Sequence, residues 1–353
     1  MDEINDIRSS AEFKGITFSK FKKSQVKKEL INALLAEKVE PACYWSAELI
    51  CAGHFKDMWD CIISYMGKYI HIGNPKLPIY LNLRFNNFKE IIENGYIQDE
   101  LSLRNNLKIR QIFAEIILVL CFSIKKHSFE TIKLNKDEDF NMTFMASKLK
   151  ATSIDFGQNS FEKDDPKEIY IAVNEFAYNI TDKRKNSVIA CYWYEWLLEY
   201  ENLCKKRKEK CEAERRTFAP IHDKYQKDII WILWDILFKE LDKQNNPIKN
   251  KIMQSLLSLF CLKYTSSSKK KFRYIFYYAV TLVVENYKLD IDIINDKNSI
   301  ENIIKRINFV YKDIIKNQIS PDTDYLFTGL DKKSNLEKTR ERLEKMNQII
   351  NKT

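Results

Sequence analysis

The stretch Glu40-Pro41-Ala42-Cys43-Tyr44-Trp45-Ser46-Ala47-Glu48-Leu49-Ile50-Cys51 decides the fold, because part of it returns unchanged later in the chain. Ala42-Cys43-Tyr44-Trp45 recurs as Ala190-Cys191-Tyr192-Trp193. Each copy runs on into apolar residues of a helical pattern, Leu49 and Ile50 in the first, Leu197 and Leu198 in the second. A second anchor follows each copy. Asn105-Asn106 precedes a pattern containing Ile112, Ile116, Ile117 and Cys121, and Asn245-Asn246 precedes one containing Ile252, Leu256, Leu257 and Cys261. Two anchors in the same order, at separations of roughly 150 and 140 residues, read as a duplicated unit of roughly four or five helices. The alternative is coincidence inside buried helices, since Cys, Tyr and Trp are ordinary core residues.

Composition agrees with helices. Glycine and proline number seven each among 353 residues, too few for the tight turns of β-sandwiches or the phosphate loops of α/β barrels. Apolar residues at 45% suffice to build cores, which excludes global disorder. The expected architecture is all-α: two tandem multi-helix repeats, HEAT-like or cyclin-like, joined by a short non-helical connector and followed by a C-terminal helical tail. Its boundaries are a polar N-terminal segment at 1–20, repeat 1 at 21–126, the connector at 127–164, repeat 2 at 165–290 and C-terminal helices at 291–353. Within the connector, Phe129, Thr131, Ile132 and Leu134 alternate with polar residues, which predicts a β-hairpin or an irregular segment. Within the tail, helices are expected over 299–317 and 335–351, the latter with Leu336, Leu343, Met346 and Ile350 among many charges.

The opening residues Met1-Asp2-Glu3-Ile4-Asn5-Asp6 lack the basic-then-apolar order of a secretion signal. The longest apolar stretch, 112–124, is interrupted by Glu115 and is too short to span a bilayer. An unsecreted, intracellular chain without membrane insertion is expected. Its eight cysteines, at 43, 51, 61, 121, 191, 204, 211 and 261, then read as reduced thiols, most of them in cores.

No catalytic motif emerges. Neither a Walker lysine nor GxGxxG occurs, and the four histidines (54, 71, 127 and 222) sit in no nucleophile motif. Cys43, Cys51, His54 and Cys61 are the best metal candidates, since Cys51 and His54 share a helical face and thiolate with imidazole suits zinc. The chain has no CxxC pair, however, so core cysteines beside a surface or capping histidine explain the group better. Neither a metal nor a cofactor is expected. Glu48, Glu115 and Glu195 interrupt apolar helices, either as buried, perturbed carboxylates or as helix-edge residues paired with a base.

The charge distribution is more informative. A formal net charge of +9, from 58 basic and 49 acidic residues, permits an acidic partner without demanding one. The run Lys205-Lys206-Arg207-Lys208-Glu209-Lys210, continuing to Arg215-Arg216, lies on a helix expected over 187–216 and must be largely solvated. Lys269, Lys270, Lys271 and Arg273 form a second patch after Ser266-Ser267-Ser268, and residues 20–28 form a third. These cations are candidates for contacting DNA or RNA phosphates, against the plainer reading of solvated helix ends. The aromatic group Trp193, Tyr194, Trp196 and Tyr200 offers rings for base stacking or for packing between helices.

The run from Glu40 to Phe55, the turn Gly73-Asn74-Pro75-Lys76-Leu77-Pro78, the stretch 104–126 and Asn335-Leu336-Glu337-Lys338-Thr339-Arg340 together resemble a conserved, uncharacterised protein family of nucleocytoplasmic large DNA viruses, giant and algal. The resemblance implies a viral protein made in infected cells, located in the host cytoplasm or the viral factory or packaged in the virion, with other viral proteins as partners. It carries over no activity and no catalytic residue. The leading expectation is a non-enzymatic helical interaction or scaffold protein in virion assembly or genome-associated processes. A nucleic-acid-binding accessory factor in replication or transcription is the second, and an enzyme with an unrecognised site the third.

Overall fold

The computed structural model describes residues 3–97, 99–294 and 297–319, and over them the chain is all-α. Five helices come first: α1 (Lys23–Leu35), α2 (Val39–Cys51), α3 (Phe55–Tyr65), α4 (Leu77–Glu93) and α5 (Leu107–Phe122). Two short ones, α6 (Lys136–Asp139) and α7 (Met142–Ala146), lie in the connector. The second half holds α8 (Tyr170–Ile180), α9 (Ser187–Arg207), α10 (Ile230–Lys243), α11 (Pro247–Phe260), α12 (Ser268–Lys271) and α13 (Arg273–Val284), followed by α14 (Lys297–Ile315). The helix expected over 335–351 lies outside the described residues.

Local chemistry sets the helix starts. Asn106, Asn186 and Asn246 are N-caps whose side chains accept from Ile109, Ile189 and both Ile248 and Lys249 backbone N–H groups. Each satisfies donors that the first turn leaves open. Pro247 opens α11, where a missing N–H costs nothing.

The two Ala-Cys-Tyr-Trp copies occupy equivalent local settings. Each lies on the second helix of a closely packed pair, α1 with α2 and α8 with α9. Tyr44 and Trp45 meet edge-on at 5.1 Å and 81°, and Tyr192 and Trp193 at 5.1 Å and 80°. The likeness stops at the pair. Helix α5, behind the first asparagine anchor, packs on α2, α4 and α14, whereas α11, behind the second, packs on α4, α10 and α13. It is α13 that lies against α9.

Helix α13 is the centre of the molecule. Every residue from Ile275 to Val284 is buried, as expected for a helix that is apolar all round. It touches α8, α9, α10 and α11 on one side and α3 with the turns at 66–73 on the other. With α4 packed on α11, the halves share one continuous apolar cluster running from Ile4 to Ile314.

One alternative for the connector falls away and two expectations are corrected. The hairpin at 127–164 is absent, and the only β pairing among the described residues is an isolated bridge between Ile16 and Lys22. Where the stretch begins, the backbone bonds a π-helical turn at Met66–Ile70 instead: Lys126 and Ser128 donate to Ile70 and Lys68 carbonyls at 3.3 and 2.8 Å. Phe129 then stacks on Tyr277, and Asn135 and Asn141 cap α6 and α7. The N-terminal segment is not merely polar, because Ile4, Phe13 and Phe18 are buried and the Arg8 guanidinium lies over both phenyl rings. The long helix expected over 187–216 ends at Arg207. Lys208 turns left-handed (φ 60°), the Glu209 N–H returns to the Cys204 carbonyl, and the last-turn cations meet the negative end of the helix.

The seam between the halves is tight at residues 71–74. A Cβ on Gly73 would sit 2.2 Å from the Ile124 carbonyl oxygen, so only glycine fits. His71 adopts φ 46°, lies 4.7 Å from the Tyr278 ring at a tilt of 31° and leaves Nε2 without a partner among the described residues. Burial pushes its pKa down from 6.5 to about 3. Below pH 6.5 the unfolded chain therefore takes a proton that the folded chain refuses, and stability falls as pH drops toward about 3. His71→Phe, which keeps a ring on Tyr278, is expected to lessen the acid sensitivity of the urea-unfolding free energy between those values by up to about one proton.

Candidate interaction cleft and basic surface

The cations singled out by sequence separate into three groups. Lys269 and Arg216 belong to the interior. Lys269 is 1% exposed and holds both carboxylate oxygens of Glu201, at 2.7 and 2.6 Å, with Asp228 at 3.1 Å. Arg216 is 7% exposed and pairs with Asp165 at 2.6 Å, donating also to the Ser160 carbonyl. Both charges are consumed by folding and face no ligand. Lys205, Lys210, Arg215, Lys270, Lys271 and Arg273 have carboxylate partners: Glu201, Glu212, Asp223, Glu199, Asp60 and Glu195. Lys206, Arg207 and Lys208 are exposed at the tip of α9 and form no ion pair among the described residues.

The fold nevertheless brings the two distant basic stretches together. The Lys269–Glu201 pair fastens α12 to α9, and the Tyr194 hydroxyl donates to the Lys269 carbonyl at 2.7 Å. Lys205 and Asn202 of α9 then line one shallow groove with Ser266, Ser267 and Lys270. The aromatic group divides: Trp193 and Tyr194 are fully buried, while Trp196 and Tyr200 line a separate pocket with Phe140 and Arg207.

A larger concavity was not legible from the sequence. Helices α3 and α4 and the segment 262–272 enclose a cleft of about 470 Å³, within the usual range for a ligand pocket. Its floor is aromatic: Phe55, Trp59, Phe85, Phe88 and Phe272. Trp59 meets Phe85 edge-on at 5.0 Å and lies 5.8 Å from Phe88. Its indole N–H is buried and has no acceptor among the described residues. The rim alternates in sign, with Lys56, Lys89 and Lys263 against Glu93 and Glu100. Asp60 of α3 and Lys271 of α12 pair across it, joining the halves. The sequence signal was the apolar stripe of α4, which does not reveal that its neighbours leave it partly uncovered.

The catalytic candidates resolve into packing. Cys43, Cys51 and Cys61 are buried, and burial pushes the thiols of Cys43 and Cys61 up to about 12 and about 11, away from the reactive thiolate. His54 Nε2 lies 2.6 Å from the Ile16 carbonyl, and burial lowers its pKa. Among the described residues no group of three His, Cys, Asp or Glu side chains is placed to hold a metal. Glu48 accepts from Thr17 and from the Ser19 hydroxyl and N–H. Glu115 accepts from Tyr80 and Arg84. Glu195 accepts from Tyr277 at 2.7 Å, and burial raises its pKa. Each of the three carboxylates is thus engaged within the fold.

The division of the cations has a measurable consequence. Lys269→Met leaves the buried Glu201 and the half-buried Asp228 without their main counter-ion and is expected to destabilise the protein by about 3–5 kcal/mol. Lys206→Ala, by contrast, is expected to change stability by less than about 0.5 kcal/mol. Urea unfolding of the two variants checks the contrast, and equal stabilities contradict it. Comparison with protein-family models, with curated proteins and with solved structures gives no match for this chain.

Proposed function

We propose that this protein acts without catalysis of its own, as a helical interaction protein whose recognition element is the aromatic cleft between α3, α4 and residues 262–272. The observation that carries the reading is the cleft itself. An apolar aromatic floor under a rim of mixed charge suits a partner side chain or segment with an apolar body and a polar edge. Engaged carboxylates and buried thiols with raised pKa values favour binding over catalysis. On the resemblance to proteins of large DNA viruses, the proposed setting is virion assembly or a genome-associated process, with other viral proteins as partners, in the host cytoplasm, the viral factory or the virion.

The test compares the wild-type protein with Lys89→Trp, which adds a ring at an exposed helical position on the cleft rim. Both are used as bait in infected cells, and retained proteins are identified by mass spectrometry. The reading expects a discrete set of partners held by the wild type and reduced at least about tenfold by the rim substitution, about 1.4 kcal/mol of binding. Partners retained equally by both baits would contradict the cleft as the recognition element.

A further inference from the structure

We propose that the tip of α9 is a binding site for single-stranded nucleic acid, with one base inserted beside Tyr200 and the flanking phosphates held by Lys206, Arg207 and Lys208. This inference does not rest on the cleft: the aromatic pocket and the three cations lie on α9, Phe140 and Glu168, and only the groove beside Lys205 shares Ser267 with the cleft.

The first observation is the pocket beside the tip. Trp196, Tyr200, Leu203 and Arg207 recur at spacings of four, three and four residues, so they form one stripe on α9. With Phe140 and Glu168 they line a pocket of about 230 Å³. Its aromatic wall is ordered by stacking: Phe140 lies 4.9 Å from Trp196 at 23°, and Trp196 lies 5.3 Å from Tyr200 at 10°. The Trp196 indole N–H donates to the Asp139 carbonyl at 2.8 Å, which fixes the middle ring. Tyr200 and Phe140 are only half-buried, so ring surface is left for a further planar group. Base-on-aromatic stacking tolerates any base, because every base has a π-face.

The second observation is electrostatic and independent of the rings. Lys206, Arg207 and Lys208 are exposed and carry no carboxylate partner among the described residues, unlike the other nominated cations. They stand where α9 ends: Arg207 lines the aromatic pocket, and Lys205, the residue before Lys206, lines the groove with Asn202, Ser266, Ser267 and Lys270. A chain of phosphates leaving a base in the pocket meets Arg207 at the pocket wall, with Lys206 and Lys208 on either side of it in sequence. Glu168, exposed at the pocket mouth, accepts hydrogen bonds from exocyclic amino groups and repels a continuous anionic surface. That pairing of rings, cations and one carboxylate fits a strand of bases better than a lipid headgroup layer.

The experiment is fluorescence anisotropy with a labelled single strand of about 12 nucleotides, against a duplex of the same sequence and anionic phospholipid vesicles, starting near 50 mM salt. The expected result is single-strand binding that weakens with salt and exceeds duplex and vesicle binding. The combined variant Lys206→Gln, Arg207→Gln, Lys208→Asn, with asparagine chosen because position 208 is left-handed, is expected to reduce the log–log salt slope by about 2. Tyr200→Leu is expected to weaken binding roughly tenfold through lost stacking. Glu168→Gln, an exposed change safe for folding, is expected to erase a preference for adenine and cytosine strands over thymine. No binding at low salt, equal binding to vesicles, or affinity indifferent to the α9-tip variant overturns the proposal. Affinity that survives Tyr200→Leu with no change of base preference in Glu168→Gln overturns it as well.

Discussion

Lys269 spends its charge inside the protein. Its ammonium group, 2% exposed at the side chain, is held by Glu201 of α9 and by Asp228 just before α10, and Tyr264 donates to the same Asp228 oxygen. A buried pair of this kind contributes little net stability against a well-packed apolar replacement, but removing one partner leaves an uncompensated charge. Its value here is positional. By fastening α12 to α9 it sets the far lip of the cleft, where Ser267, Ser268 and Lys271 lie, and it also brings Ser266 and Lys270 beside Lys205. The far lip of the cleft and the groove beside Lys205 both depend on this one buried contact.

A second constraint is the shared core. Helix α13 is flanked by elements of both halves, and the Tyr278 hydroxyl crosses the seam to the Asn74 carbonyl at 3.1 Å. Gly73 admits no side chain there, and the π-helical turn before it receives the connector's backbone groups. The connector therefore works as packing between the halves: Phe129 on Tyr277, Thr131 on the Tyr274 hydroxyl and Asp139 against Tyr192. The cleft opens at the edge of this seam, where α4 and α11 meet and the segment after α11 turns back to α12.

How much of this was legible in the sequence follows from the range of each interaction. Period-3.6 patterns and asparagine caps are local, so the all-α class and most helix starts were readable, as with Asn106 and Asn246. The fate of a charge depends on partners far along the chain. Lys206 and Lys269 look alike in their basic runs, yet one is solvated and the other meets a glutamate 68 residues away. Arg216 and Asp165, 51 positions apart, make the same point. Alternation in 129–134 mimicked a strand because its apolar residues face the core, while the backbone of Lys126 and Ser128 just before it bonds the turn at 66–70 and not a partner strand. The cleft was hidden for a related reason: an apolar stripe says that a helix packs, not how completely it is covered.

The central structural claim is that the two halves carrying the Ala-Cys-Tyr-Trp copies share one core, so that the cleft at their seam is held by the packing of both. Buried cysteines provide native probes on each side: Cys43, Cys51, Cys61 and Cys121 in the first half, Cys191 and Cys261 in the second. The most direct measurement is pulsed alkylation of the full chain across a urea series, with each thiol followed by mass spectrometry. The account predicts that all six become reactive at one common midpoint. A separate, earlier midpoint for the thiols of either half would contradict it.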